Sequence, residues 1–172
     1  MELRISVIQG SILDVDVEVI VNAANSSGIM GGGVAGVIKR AAGAAVEEEA
    51  MRQAPIPVGQ AVLSSGGHTK FTGIVHAPTM PEPGMRIPAE NVAKTTRAAL
   101  ALADERGFAS IALPGLGTGV GGVDPKDAAQ QMAQAMRSFV GRVLQRVVLV
   151  DIDSAMIAAW KNEMESGRPA AP

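Results

Sequence analysis

Two asparagines and two glycine-rich segments are the residues of this sequence best suited to chemistry. Asn22 and Asn25 stand in the segment Asn-Ala-Ala-Asn, directly after the apolar run 19–21. An asparagine side chain both donates and accepts hydrogen bonds, which suits the hydroxyls of a sugar. Asparagine also favours turns after strands, and for this pair taken alone the turn is the better explanation.

The first glycine-rich segment is Gly31-Gly32-Gly33, which runs directly into a predicted helix beginning near Val34. Glycine lets a ligand approach the backbone closely, and the N-terminus of a helix offers unpaired N–H groups and the positive end of its dipole. A phosphate is stabilised there without a charged side chain. A flexible loop, or a close crossing of strand and helix, explains a single glycine cluster equally well.

The second glycine-rich segment, Gly117-Thr118-Gly119-Val120-Gly121-Gly122, repeats this pattern. It follows a predicted strand, 111–113, and its exit at Pro114, and it leads to a helix predicted to be capped by Asp124. Two such loops suit a ligand with two adjacent phosphates held by main-chain N–H groups. The spacing matches neither the dinucleotide fingerprint nor the P-loop, and neither segment contains lysine, which disfavours a nucleoside triphosphatase.

The elements that must position these residues alternate along the chain. Short apolar runs predict strands, and the stretches of helical spacing between several of them predict covering helices. We therefore expect a three-layer α/β/α sandwich with a mixed, largely parallel central sheet. It forms a single domain over residues 1–165, followed by a flexible C-terminal tail, 166–172. The predicted strands are 5–8, 17–21, 61–63, 73–77, 111–113 and 147–150.

The helices follow from amphipathic spacing and capping residues. The first continues past Ala45 towards residues 47–49, whose glutamates are predicted to form a solvated face. The last spans 154–165 and is predicted to be capped by Ser154, and the proline-rich stretch 78–88 reads as a surface loop without assigned chemistry. The inward face of the first helix is predicted to carry Val34, Ile38, Ala41 and Ala45. The inward faces of the next two are predicted to carry Val92, Thr96, Ala99 and Leu102, and Ala129, Met132, Met136 and Phe139.

Composition narrows the function classes. The formal net charge is −2 and the basic residues are scattered, so we expect no nucleic-acid partner. No apolar run approaches the ~20 residues that span a bilayer, so we expect no membrane partner and a cytoplasmic location. With no cysteine and two histidines, we expect neither a metal nor a cofactor. We also expect a monomer or a weak homo-oligomer.

The asparagine segment and both glycine segments, together with Val58-Gly59 and Ile74-Val75-His76, resemble the macro domain family over roughly residues 3–160. The resemblance implies that the partner is ADP-ribose, a close derivative or an ADP-ribosylated protein. It also implies the ligand contacts, which are Ser11, Ile12, Ala24, Asn25, Gly31, Gly32, Gly33, Val34, Pro114, Gly117, Thr118, Gly119, Val120, Gly121, Asp151 and Ile152.

The same resemblance implies individual roles. Asn25 corresponds to the family's contact to the distal ribose and is the predicted catalytic residue, holding the sugar while a positioned water attacks its anomeric carbon. Asn22 and His76 correspond to structural positions, and His68 to a solvent-facing loop residue. Asp151 and Ile152 are predicted to contact the adenosine end.

Four positions depart from the family pattern. Ser11 replaces an aspartate that binds the adenine amino group, and Gly121 replaces an aromatic ring near the distal ribose. Ala35 replaces the aspartate of one hydrolase branch, and Met30 replaces a histidine of some active relatives. Three functions therefore stay open: hydrolysis of an ADP-ribosyl ester, non-catalytic binding of ADP-ribose or a related nucleotide, and binding of a different base or sugar.

Overall fold

The computed structural model describes residues 2–82 and 84–166. Its strands are β1 (Arg4–Gln9), β2 (Val19–Asn25), β3 (Val62–Ser65), β4 (Gly73–Met80), β5 (Ser110–Leu113) and β6 (Arg146–Asp151). They form one six-stranded sheet in the order β1-β6-β5-β2-β4-β3. All neighbouring pairs are parallel except β3 with β4, which is antiparallel, so the predicted mixed, largely parallel sheet is confirmed.

Helices cover both faces of the sheet, because alternate residues of the central strands are apolar on both sides. The helices are α1 (Gly33–Ala42), α2 (Ala44–Arg52), α3 (Glu90–Glu105), α4 (Pro125–Ser138) and α5 (Ser154–Ser166), with a short 3-10 helix at Ile12–Asp14. On one face, Val19 and Val21 of β2 pack in a cluster with α3, α4 and α5. On the other, Ile20 packs with α1, α2 and the 3-10 helix. The three-layer architecture is therefore confirmed.

The first predicted helix is in fact two. Gly43 has φ 97°, a left-handed value that favours glycine, and it separates α1 from α2. The change of direction places Ala45 on the exposed side, which contradicts its predicted inward position. Ala42 and Val46 are buried instead, with 1% and 0% of their surface exposed.

Strand and helix ends differ from the predictions in four places. β2 extends through both Asn22 and Asn25, which were expected just after it. β4 continues to Met80, so buried Thr79 lies in a strand, although the stretch 78–88 was predicted as a loop. The N-terminal cap of α5 is Asp153, whose Oδ1 accepts the Ala155 N–H at 3.0 Å, and not Ser154. Phe139 is the half-buried residue that ends α4 rather than one of its helical positions.

The C-terminal prediction falls largely outside the structure. Ser166 is the last residue of α5 rather than the first of a tail, and residues 167–172 lie outside the described residues. In the described part of the chain, no helix combines the length and the apolar character needed to cross a membrane.

Candidate functional site

The predicted ligand contacts gather at one edge of the sheet. Because β1, β6, β5, β2 and β4 are parallel, their carboxyl ends all meet there. From β2 the chain continues into α1 on one face, and from the neighbouring β5 it continues into α4 on the opposite face. Such a divergence opens a crevice between two strand ends, where open α/β sheets hold their ligands. The two glycine loops lie between these neighbouring strands and the helices that follow them.

The first loop presents an uncapped helix N-terminus. Gly32 precedes α1 and supplies no side-chain cap, and no acidic residue stands in the first turn. Among the described residues, no acceptor is found for the N–H groups of Gly32, Gly33, Val34 and Ala35. A Cβ atom built at Gly31, Gly32 or Gly33 would meet no atom within 4 Å. This loop therefore offers open space in front of free donors, which suits an anion.

A glutamate from α2 holds the first loop in place. Glu47 accepts the Met30 N–H at 2.7 Å and forms a 2.9 Å salt bridge with Lys39 of α1. The hydrogen bond from Lys39 is the main reason that the pKa of Glu47 lies below its usual value. Glu49 likewise accepts hydrogen bonds from the N–H and hydroxyl of Ser65. The prediction that residues 47–49 form a merely solvated face is therefore wrong for two of the three.

The second loop is a tight turn built on glycine. Gly122 donates to the Gly119 carbonyl at 3.1 Å, and Val123 donates to the Gly117 carbonyl at 2.9 Å. A Cβ on Gly121 would stand 2.6 Å from the Gly117 oxygen, which explains why no aromatic ring occupies that position in this chain. In the described residues, the N–H groups of Thr118, Gly119 and Val120 have no protein acceptor. They form a second set of free donors.

The two loops differ in what their helices contribute. Asp124 caps α4, with Oδ1 accepting the Lys126 N–H at 2.8 Å, and Asp127 lies in the first turn. Carboxylates therefore already occupy the positive end of α4, whereas α1 has none. An anion would meet a helix dipole at the first loop and only turn N–H groups at the second.

Asn25 is buried at the end of β2, with 9% of its surface exposed. Its Oδ1 accepts the N–H of Ser27 at 3.0 Å and also the Ser27 hydroxyl, and its Nδ2 donates to the Ile29 carbonyl at 3.0 Å. The turn expected from sequence is therefore present. One hydrogen of the Nδ2 group stays available, because an amide nitrogen carries two.

Asn22 and His76 form a buried polar chain behind the site. Asn22 Nδ2 lies 3.1 Å from His76 Nδ1, and His76 Nε2 lies 2.8 Å from the Ser64 hydroxyl. Burial lowers the pKa of His76 to about 4, and nearby Glu49 offsets this only in part, so the ring is neutral at pH 7. Both residues are fully interior, as a structural role requires, whereas His68 is exposed as predicted.

The residues predicted at the adenosine end lie at the ends of β1 and β6. The Ser11 hydroxyl accepts the Leu13 N–H at 3.1 Å and caps the 3-10 helix, in which Ile12 is buried. Asp151 accepts the N–H groups of Gly115, at 3.0 Å, and of Asp153, at 2.9 Å. Ile152 is 78% exposed and free to contact a ligand.

Two more predicted contacts, Ala24 and Pro114, are buried in the protein itself and support the site rather than project from it. Sequence reasoning missed Ser27, whose N–H and hydroxyl both donate to Asn25, and Glu47. The segment Asn25-Ser26-Ser27 is a recognisable turn signal, but nothing in the sequence links Glu47 to Met30.

Within residues 2–82 and 84–166, no cluster of three or more carboxylate or imidazole groups could hold a metal ion.

Comparisons with known proteins agree with this geometry. The family model described as Macro domain matches residues 21–132. An uncharacterized protein of Aquifex aeolicus is 55% identical over 92% of this chain and 96% of its own length. A Klebsiella pneumoniae protein named O-acetyl-ADP-ribose deacetylase is 34% identical over 96% of this chain and 99% of its own. A mutant macrodomain of Oceanobacillus iheyensis, solved with ADPR, superposes with a TM-score of 0.86 at 25% identity, covering 96% of this chain and 94% of that one.

Proposed function

This chain belongs to the Macro domain family, and on that premise we propose that it binds ADP-ribose, or a close derivative, and hydrolyses an ADP-ribosyl ester. The observation that carries the proposal is the pair of free N–H sets at the crevice between β2 and β5. Each loop takes one phosphate, and backbone donors need no lysine to do so. The similar proteins solved with ADPR or named for deacetylation of O-acetyl-ADP-ribose support this choice of ligand.

The order of the strands supports one direction for the ligand. With the diphosphate between β5 and β2, the nucleoside lies over β6 and β1, near Ile152 and Ser11. The distal ribose then lies beyond the first loop, at the end of β2, where the remaining Nδ2 hydrogen of Asn25 can reach a ribose hydroxyl. In this arrangement Asn25 both shapes its own loop and holds the sugar.

Catalysis at such a site depends on positioning. A water attacks the anomeric carbon, the bond from that carbon to the acyl oxygen breaks, and the carboxylate leaves with the electron pair. The proton of the water passes to a phosphate oxygen of the substrate. Holding the reactants in place lowers the barrier without a strong side-chain base. A carboxylate leaving group makes this chemistry feasible, since it is already stable as an anion.

A second candidate, a reader that binds ADP-ribose without turnover, is favoured by three observations on the residues that could act as a base. The carboxylate of Asp151 accepts two backbone N–H groups, Glu47 is paired with Lys39, and position 35 is alanine. These groups are therefore engaged, which leaves no free general base among them. The two candidates share the ligand and differ in whether product forms.

The test is incubation with a protein mono-ADP-ribosylated on acidic side chains, followed by measurement of released ADP-ribose. We expect release by the parent and a loss of about 100-fold in Asn25→Ala, because removing one positioned donor costs about that much. Ser27→Ala is the matched control, since it disturbs the same turn but keeps the amide. Saturable binding with no release would support the reader, and no binding would sink both candidates.

A further inference from the structure

We propose that Arg86 is a diphosphate-binding residue of this site, supplying a positively charged side chain at the second glycine loop; the inference rests on the proposed function. The loops themselves contain no lysine or arginine, so a diphosphate held by their N–H groups alone has no formal positive charge beside it. Arg86 lies on the segment between β4 and α3, to which sequence reasoning assigned no chemistry.

The guanidinium of Arg86 lies flat on the second loop. A Cβ built on Gly122 would stand 2.8 Å from Nη2, 2.9 Å from Cζ and 3.1 Å from Nε of Arg86. Three nearly equal distances mean that the face of the guanidinium, and not its edge, covers Gly122. Its N–H groups therefore point outward in the plane of the group. Any side chain at position 122 would displace it.

The neighbouring residue fixes this arrangement. The Ile87 N–H donates to the Gly121 carbonyl at 3.0 Å, and the Ile87 side chain packs against Gly117. The segment carrying Arg86 is thus docked on the same turn whose N–H groups, from Thr118 to Val120, are free. A residue placed by its neighbour loses less conformational freedom when it binds a ligand.

The N–H donors of the Arg86 guanidinium are available to a ligand. Arg86 is exposed, and in the described part of the chain it forms neither a salt bridge nor a side-chain hydrogen bond. An arginine binds phosphate oxygens through two parallel N–H groups, a geometry that lysine lacks. The chemical class that fits Arg86 together with the turn N–H groups is therefore a phosphate or diphosphate ester at the second loop.

The experiment measures the dissociation constants of ADP-ribose and of inorganic pyrophosphate for the parent, Arg86→Gln, Arg86→Lys and Arg106→Gln. Arg106 ends α3 at the opposite edge of the sheet, so its variant changes the net charge equally without touching the loop. We expect Arg86→Gln to bind both probes about tenfold more weakly, Arg86→Lys to fall between it and the parent, and Arg106→Gln to match the parent. The salt dependence of binding should also be shallower in Arg86→Gln.

The outcomes separate the two proposals. Equal affinities of Arg86→Gln and Arg106→Gln for a probe that the parent binds overturn the role of Arg86 alone. A parent that binds pyrophosphate through Arg86 but not ADP-ribose supports that role and contradicts the proposed function. A parent that binds neither probe contradicts both. Unchanged melting temperatures of the Arg86 variants would show that the affinity loss does not reflect unfolding.

Discussion

Replacing Gly32 by alanine tests whether this position needs glycine to bind a ligand or to fold. Gly32 has φ −115° and ψ −172°, an extended conformation that any residue adopts, and its Cβ would meet nothing within 4 Å. The protein alone therefore gives no steric reason for glycine at this position. The open space in front of Gly32 is where we place a phosphate, so a methyl group there should exclude the ligand.

The free-energy changes expected for Gly32→Ala are large for ligand binding and small for protein stability. Alanine restricts the unfolded chain, which stabilises by ~0.4–1 kcal/mol, but it is a poorer helix cap than glycine by a similar amount. We expect these effects to offset and the melting temperature to move by less than about 4 °C. Losing one charge-assisted hydrogen bond costs ~1.5–3 kcal/mol, which weakens binding by about 10- to 100-fold.

Calorimetric titration with ADP-ribose and thermal unfolding give both quantities. Gly36→Ala is the matched comparison, because its Cβ would lie 2.8 Å from the Gly31 carbonyl oxygen and Gly36 is buried. That variant should lose stability as well as affinity, since overpacking costs ~1–3 kcal/mol. If Gly32→Ala binds ADP-ribose within about twofold of the parent, the first loop does not hold a phosphate as we infer.

Two further predictions concern pH and the supports of the site. Glu47→Gln should lower the free energy of unfolding by about 1 kcal/mol at pH 7, because the Met30 N–H and Lys39 lose a charged partner that is partly screened by water. Because the pKa of Glu47 is lowered on folding, this difference should disappear as the pH falls through that pKa, and urea unfolding of both proteins across acid pH would show it. His76, whose pKa falls from 6.5 to about 4, binds a proton more readily when unfolded, so the protein should lose about 2 kcal/mol of stability between pH 7.5 and pH 5. The same titration on His76→Gln should be flatter, and an equal slope in the two proteins would refute the assignment.

Local sequence accounts for much of the site. The glycine loops and the Asp124 cap are short-range features, since each depends on residues within a few positions of one another. The turn at Asn25 is likewise local, and the structure contains it. The division of the first helix at Gly43 was missed because the apolar spacing continues across it. Only the conformation of the glycine reveals the break.

Long-range contacts explain what sequence could not predict. Glu47 holds Met30, and Arg86 lies on Gly122, across 17 and 36 positions of the chain, and no spacing rule links such pairs. The burial of Ala24 and Pro114 also depends on tertiary packing, which the spacing of residues along the chain does not give.

By itself, the sequence determined where backbone N–H groups lack a helical partner, because free N–H groups at a glycine loop and a helix start are consequences of local backbone chemistry. Tertiary structure decided that both loops flank one crevice, since only the order of β5 and β2 makes their ends neighbours. It also decided which helix end is open to an anion and where the positive charge of Arg86 lies. These properties depend on distance in space, which the order of residues along the chain does not encode.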